Sequence, residues 1–182
     1  MKKNRGITMI SLAIMIIILM ILATVTMYYG EVTIKEARLQ DLKTNMLLIQ
    51  ASLKSDLEKY HFETSTMDED TKNSKKSEYL KGKELSTPEC SEVKQVFDSI
   101  NTNQQIEKQI NEDYPQVAGK FEYYYLDSTI LEQIGLTDIK SDKENGYYIV
   151  AYSMNSMYPN VVEIINTNGY SGNYSLKRIQ AL

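Results

Sequence analysis

The hydrophobic positions of this chain form one solid block near the N-terminus and patterned segments further along. Residues 7–29 carry no charge, and the polar side chains among them are Thr8, Ser11, Thr24 and Thr26. An α-helix rises about 1.5 Å per residue, so this block reaches roughly 34 Å, enough to cross the hydrocarbon core of a bilayer. The block therefore predicts a membrane-spanning helix.

A helical pattern follows this block. From Glu31 to about Tyr60 no Pro or Gly interrupts the chain. Apolar residues recur there at spacings of three and four: Leu39, Leu42, Met46, Ile49, Leu53, Leu57 and Tyr60. The other side carries Asp41, Lys43, Asn45, Gln50, Lys54 and Ser55. Such a stripe predicts an amphipathic helix with one face on a core and the polar face in solvent.

The C-terminal two thirds predict shorter elements. Residues 64–87 are polar and lack periodicity, which is typical of a surface loop. A helix is expected from Pro88 to about Asn111, capped by Thr87 and interrupted at 101–103. Another short helix is expected at Ser128–Ile134, capped by Ser128 and ended by Gly135.

Strands are expected where aromatic and β-branched residues gather. The predicted strands are Phe121–Leu126, Gly146–Ser153, Asn160–Ile165 and Tyr170–Ile179, with a turn at Asn168–Gly169. The fold class predicted is α+β: a long N-terminal helix packed on a C-terminal antiparallel sheet. Eight tyrosines lie on or beside these strands: Tyr123, Tyr124, Tyr125, Tyr147, Tyr148, Tyr152, Tyr170 and Tyr174. Half should pack on the long helix and half face solvent, where outward rows would suit adhesion.

Charge and composition exclude several classes of function. All 24 Asp and Glu follow residue 30, with 17 of the 20 Lys and Arg, so this part carries −7 and lacks the basic face that nucleic acid requires. The single Cys90 closes no intramolecular disulfide, and one Cys with one His (His61) makes a zinc site unexpected. His61 is expected to be an exposed residue at a helix end. The acidic cluster 68–70 does not fit a calcium-binding EF-hand loop, because Lys72 and Asn73 stand where that loop requires Asp or Asn and Gly. The acidic cluster 142–145 is expected to be a solvated turn.

No catalytic constellation is present in the sequence. There is no Gly-rich phosphate loop and no nucleophile motif beside His61, so we expect no enzyme, no cofactor and no metal. The function expected after these exclusions is that of a membrane-anchored protein with a binding or structural role.

The N-terminal junction carries a motif. A basic leader, Met1-Lys2-Lys3-Asn4-Arg5-Gly6, is followed directly by Ile7-Thr8-Met9-Ile10-Ser11-Leu12. It resembles the type IV prepilin and pseudopilin cleavage motif, in which a basic leader ending in Gly precedes Phe-Thr-Leu-Ile-Glu-Leu. The chain departs from that pattern at Ser11, where the family usually has Glu. It also has no Pro before Pro88, so the kink common in the family's helix is not expected.

The resemblance implies processing and assembly. A membrane-bound prepilin peptidase would cut between Gly6 and Ile7 and methylate the amine of Ile7. Thr8, Ser11 and Leu12 would lie at assembly positions, with other pilin or pseudopilin subunits as partners. The implied divisions are leader 1–6, transmembrane or filament-core helix 7–29, amphipathic helix 30–60 and globular head 61–182.

The expected function is that of a structural subunit of a type IV pilus or of a secretion or competence pseudopilus. The cations at the N-terminus place it in the cytoplasm, so the head would lie outside the inner or cytoplasmic membrane. Three alternatives stay open. They are a cleaved secretory signal, a plain signal anchor, and an anchored extracellular domain that binds or senses without polymerising.

Overall fold

The computed structural model describes residues 5–117 and 119–182, and the fold class is α+β, as predicted. The helices are α1 (Arg5–Thr64), α2 (Glu69–Tyr79), α3 (Ser91–Ile100), α4 (Gln105–Asp113), α5 (Ser128–Gln133) and α6 (Leu176–Gln180). The strands are β1 (Lys83–Glu84), β2 (Phe121–Leu126), β3 (Tyr148–Ser153), β4 (Val162–Tyr170) and β5 (Asn173–Ser175). Short 3-10 turns occupy Pro88–Cys90, Thr102–Gln104 and Pro115–Val117. The chain divides into two units after Asp41.

The sheet of the second unit is an antiparallel meander. Its five strands lie in chain order, β1-β2-β3-β4-β5. The register pairs Tyr123 with Ala151 and Ile149 with Ile165, so these residues share one face of the sheet. The alternate residues, including Tyr152 opposite Val162, share the other face.

One face of the sheet is covered by the part of α1 that follows Asp41. The stripe residues Met46, Ile49, Leu53, Leu57 and Tyr60 are buried, as predicted, whereas Leu39 and Leu42 are only half-buried. The expectation for two flanking residues was wrong. Gln50 Nε2 donates to the Val162 carbonyl oxygen at 2.7 Å, and Asn45 hydrogen-bonds to Tyr148. These polar side chains face the sheet because they satisfy buried polar groups beside the apolar stripe.

The opposite face of the sheet is covered by α3 and α4. Their apolar side chains pack on that face in a cluster that includes Val93, Phe97, Ile106, Ile110, Tyr147, Ile149 and Ile165. Tyr123 and Tyr125 pack against this cluster, and the ring centroids of Phe97 and Tyr123 are 5.7 Å apart. The expectation of outward tyrosine rows was therefore wrong, since helices cover both faces of the sheet.

The segment 64–87, expected as a loop, contains α2. Asp68 caps this helix, accepting from Thr71 N at 3.4 Å, and Lys72 pairs with Glu69 at 2.8 Å. No residue of α2 is fully buried. Capping and ion pairs take the place of an apolar stripe, so periodicity could not reveal it.

Four other sequence expectations shift locally. Thr87 precedes the turn at Pro88 but makes no side-chain cap, because its hydroxyl donates to the Glu84 carbonyl. Asp127, not Ser128, caps α5 by accepting from Ile130 N at 2.8 Å. The last hairpin turns at Ser171–Gly172, where both φ values are positive, rather than at Asn168–Gly169. The last predicted strand ends at Ser175 and continues as α6.

The interruption predicted between two helices is confirmed. Asn101 separates α3 from α4, and its side-chain oxygen accepts from Ile106 N at 2.9 Å and from Glu107 N at 3.3 Å. A single amide thus satisfies two free N–H groups at the start of α4.

Candidate functional site

The first candidate site is the apolar segment of α1. Every side chain described between Met9 and Tyr29 is exposed, and Met27 is 76% exposed. So large an apolar surface is typical of contact with a membrane or with another protein. Among the described residues, one helix is long and apolar enough to cross a membrane, and it is α1, near the N-terminus.

Two hydroxyl groups of this segment donate to carbonyl oxygens of the same helix. Thr24 Oγ1 donates to the Met20 carbonyl oxygen at 2.6 Å, and Thr26 Oγ1 donates to that of Leu22 at 2.8 Å. A hydroxyl without a partner in an apolar medium costs several kcal/mol. These intrahelical bonds remove that cost, so the two threonines do not oppose burial in lipid or in a helix bundle.

The sequence-predicted processing and assembly residues lie at the start of α1. Gly6, Ile7 and Thr8 have helical backbone, and Ser11 and Leu12 are exposed. Residues 1–4 of the predicted leader, and the side chains of Ile7 and Thr8, lie outside the described residues. The described backbone is helical on both sides of the Gly6–Ile7 bond.

The second candidate site is a polar cavity of about 690 Å³ in the second unit. It is formed by the C-terminal end of α1, by α2, by the start of β2 and by the loop after β3. Its lining consists of Tyr60, His61, Thr64, Ser65, Glu69, Lys72, Asn73, Lys76, Lys120, Glu122, Met154, Asn155 and Ser156. This volume lies within the range of small-ligand sites.

His61 lines this cavity, and the expectation that it is exposed was wrong. It is 8% exposed, and its Nε2 lies 2.8 Å from the Ser153 carbonyl oxygen. Because a carbonyl only accepts, Nε2 carries the proton and Nδ1 is the acceptor of the neutral ring. Burial lowers the pKa of His61, the Ser153 carbonyl raises it, and the nearby Lys72 lowers it further.

Polar contacts hold α2 as one wall of the cavity. Lys76 pairs with Glu122 of β2 at 2.5 Å, and the Tyr79 hydroxyl donates to Glu63 of α1. The Tyr60 hydroxyl reaches the Lys72 carbonyl oxygen at 3.5 Å. Since α2 buries no residue fully, these contacts and not an apolar interface position Lys72 and Lys76.

Another buried ionisable group, Glu163, serves the fold. Its carboxyl accepts from the Tyr114 hydroxyl at 2.6 Å and from Lys177 N at 3.1 Å. Burial raises its pKa, and the hydrogen bonds from Tyr114 and Lys177 lower it. Glu163 therefore ties the start of α6 to β4 and to the segment after α4, and it does not line the cavity.

Sequence reasoning missed the cavity because its residues are far apart in the chain. One local signal was available: Asp68 directly precedes Glu69, with Lys72 and Lys76 one and two turns later. That order is typical of a capped helix with ion pairs. It would have placed the two lysines on one helical face.

Two further results bear on function. Within residues 5–117 and 119–182, no group of three or more His, Cys, Asp and Glu side chains is arranged to hold a metal ion. No family model, no curated protein and no solved structure matches this chain.

Proposed function

We propose that this chain is a prepilin-like subunit of a type IV pilus or of a related secretion or competence pseudopilus. After cleavage between Gly6 and Ile7, the helix that begins at Ile7 stays in the mature protein. It anchors the subunit in the inner or cytoplasmic membrane and then joins a bundle of similar helices. The head, residues 61–182, lies outside the cytoplasm because the cations Lys2, Lys3 and Arg5 precede the apolar helix.

One observation carries this proposal. A short basic leader ending in Gly6 runs directly into an uncharged apolar segment. This segment belongs to helix α1, which further along carries the buried apolar stripe from Met46 to Tyr60. In a cleaved secretory signal, the apolar segment would be discarded. Here one helix links the apolar segment to the packed head.

Assembly is a physical exchange of contacts. Lipid tails are as apolar as Leu, so a helix leaves the bilayer for a bundle when van der Waals packing between helices is better than packing with lipid. Ser11 carries no charge where the family usually has Glu. The complementary shapes of neighbouring helices, and not a buried ion pair, therefore set their alignment in this bundle.

The rival function is an anchored extracellular domain that binds or senses without polymerising. The polar cavity favours it, because such a domain requires a ligand site. The rival keeps the leader, whereas a prepilin loses it. Cleavage thus separates the two functions.

The test is Gly6→Ala, expressed in cells that contain a prepilin peptidase. The wild type should lose its leader, and Gly6→Ala should retain it, measured as a mass difference of the purified chains. Gly30→Ala is the matched control, since the added Cβ meets no atom within 4 Å and the site of cleavage is unchanged. Loss of the leader from both wild type and Gly6→Ala, or its retention by both, would contradict the proposal.

A further inference from the structure

The charges around the polar cavity leave one cation without a partner. Glu69 and Glu122 compensate Lys72 and Lys76 at 2.8 Å and 2.5 Å. Among the ion pairs of the described residues none involves Lys120, whose side chain is exposed. The cavity therefore carries a net charge of about +1 when His61 is neutral, in a chain whose net charge is −4.

A backbone hydrogen bond holds the main chain at Lys120, from which its side chain reaches the cavity lining. The Lys120 carbonyl oxygen accepts from Met154 N at 2.8 Å, which joins the start of β2 to the loop after β3. Asn155 is held in turn by its side-chain bond to the Gln116 carbonyl oxygen at 3.2 Å. The wall opposite α2 is thus preorganised for binding.

Neutral hydrogen-bonding groups complete the lining. Asn73 and Ser156 make no side-chain hydrogen bond within the described part of the chain, and His61 Nδ1 faces no partner there either. These groups offer amide, hydroxyl and imidazole partners to a ligand with several hydroxyls. Glu69 and Glu122 would repel a second negative charge on the ligand.

We propose that this cavity binds a small hydroxylated monocarboxylate with the chemistry of a sugar acid. Lys120 pairs with the carboxylate, and the neutral groups hydrogen-bond the hydroxyls. A free phosphate dianion fits less well because two carboxylates line the same cavity. This site does not depend on the proposed processing, since a chain that keeps Met1 has the same cavity.

The experiment is a titration of the full chain in micelles of an uncharged, sugar-free detergent. The probes are glucuronate, glucose, acetate and inorganic phosphate, followed by calorimetry and by the NMR signals of the His61 ring. Glucuronate should bind at least about tenfold more tightly than each other probe. It should also raise the pKa of His61, because the carboxylate stabilises the protonated ring.

The matched variants are Lys120→Gln and Lys140→Gln, which remove the same charge inside and outside the cavity lining. Lys120→Gln should weaken glucuronate binding about tenfold or more, and Lys140→Gln should not change it. Because Lys120 is exposed, its replacement leaves the core intact, which near-ultraviolet circular dichroism checks. Three results would overturn the proposal. They are no saturable glucuronate binding up to about 10 mM, equal affinities of the two variants, and tighter binding of phosphate than of glucuronate.

Discussion

At the scale of single residues, Gly146 fixes a hydrogen-bonded corner of the head. Its φ is +85°, and a Cβ there would lie 2.4 Å from Asn166 Oδ1. Asn166 is fully buried, and its Oδ1 accepts from Asn168 N at 3.0 Å and from Gly169 N at 3.1 Å. The asparagine cannot move aside without losing those bonds, so only glycine fits at position 146.

Replacement of Gly146 by Ala should destabilise the head more than the same change at Gly135. Both glycines have φ of +85°, so each variant loses about 1 kcal/mol from backbone strain. Gly135 has no atom within 4 Å of an added Cβ, whereas Gly146→Ala adds the clash with Asn166, worth about 1–3 kcal/mol more. Chemical denaturation of the two variants measures the difference. Equal losses would show that the Asn166 corner is not rigid.

The protonation of His61 should make stability depend on pH. Burial lowers the pKa of this residue in the folded chain below its ordinary value of about 6.5. Between the folded and unfolded pKa values the unfolded chain binds more protons, so the free energy of unfolding falls as pH falls through that window. His61 is the only histidine, so His61→Gln should flatten the slope below about pH 6.5, where the unfolded chain takes up the proton. Parallel slopes for the two chains would count against this role.

At the scale of elements, the sequence predicted those helices and strands whose conformation follows from the residues within the element. The bounds of β2 agree with the prediction at both ends, Phe121 and Leu126, because aromatic residues fill the whole strand. The buried stripe of α1 is also confirmed from Met46 to Tyr60. By contrast, the residues after Ser175 form α6, where buried Glu163 accepts from Lys177 N. No local pattern could reveal that distant carboxyl.

The packing of α1 on the sheet predicts a contrast between two of its leucines. Leu53 is fully buried, whereas Leu48 on the same helix is 47% exposed. Leu53→Ala should lower the free energy of unfolding of the head by about 2–5 kcal/mol through lost burial and a cavity. Leu48→Ala should change it by less than about 0.5 kcal/mol. Thermal or denaturant unfolding followed by far-ultraviolet circular dichroism tests this, and similar losses would mean that α1 does not pack as described.

At the scale of the whole molecule, the two candidate sites differ in how far the sequence could predict them. The leader, the glycine and the apolar segment are contiguous, so the sequence alone reveals them as one motif. The cavity combines the end of α1, α2, Lys120 and the loop after β3, which come together only when the sheet forms. Its lysines also lie in segments without apolar periodicity. Contact between distant polar residues leaves no periodic trace in a sequence.

The prediction that one row of tyrosines faces solvent failed for the same reason: the helices that cover the sheet come from distant parts of the chain. Alternation along β2 and β3 assigns residues to two faces but does not say what covers each face. The amphipathic helices α3 and α4 cover the face opposite α1, so Tyr147 is 8% exposed. A row of tyrosines on a strand is therefore no guide to an adhesive surface in this head.

The most direct test of the proposed function is the N-terminal residue of the native protein. The chain should be purified from the cells that make it and its intact mass and first peptide measured by mass spectrometry. We predict a chain that begins at Ile7, carries one methyl group on its amine and retains the apolar segment. A native chain that begins at Met1, or that has lost residues 7–29, would contradict the proposed function.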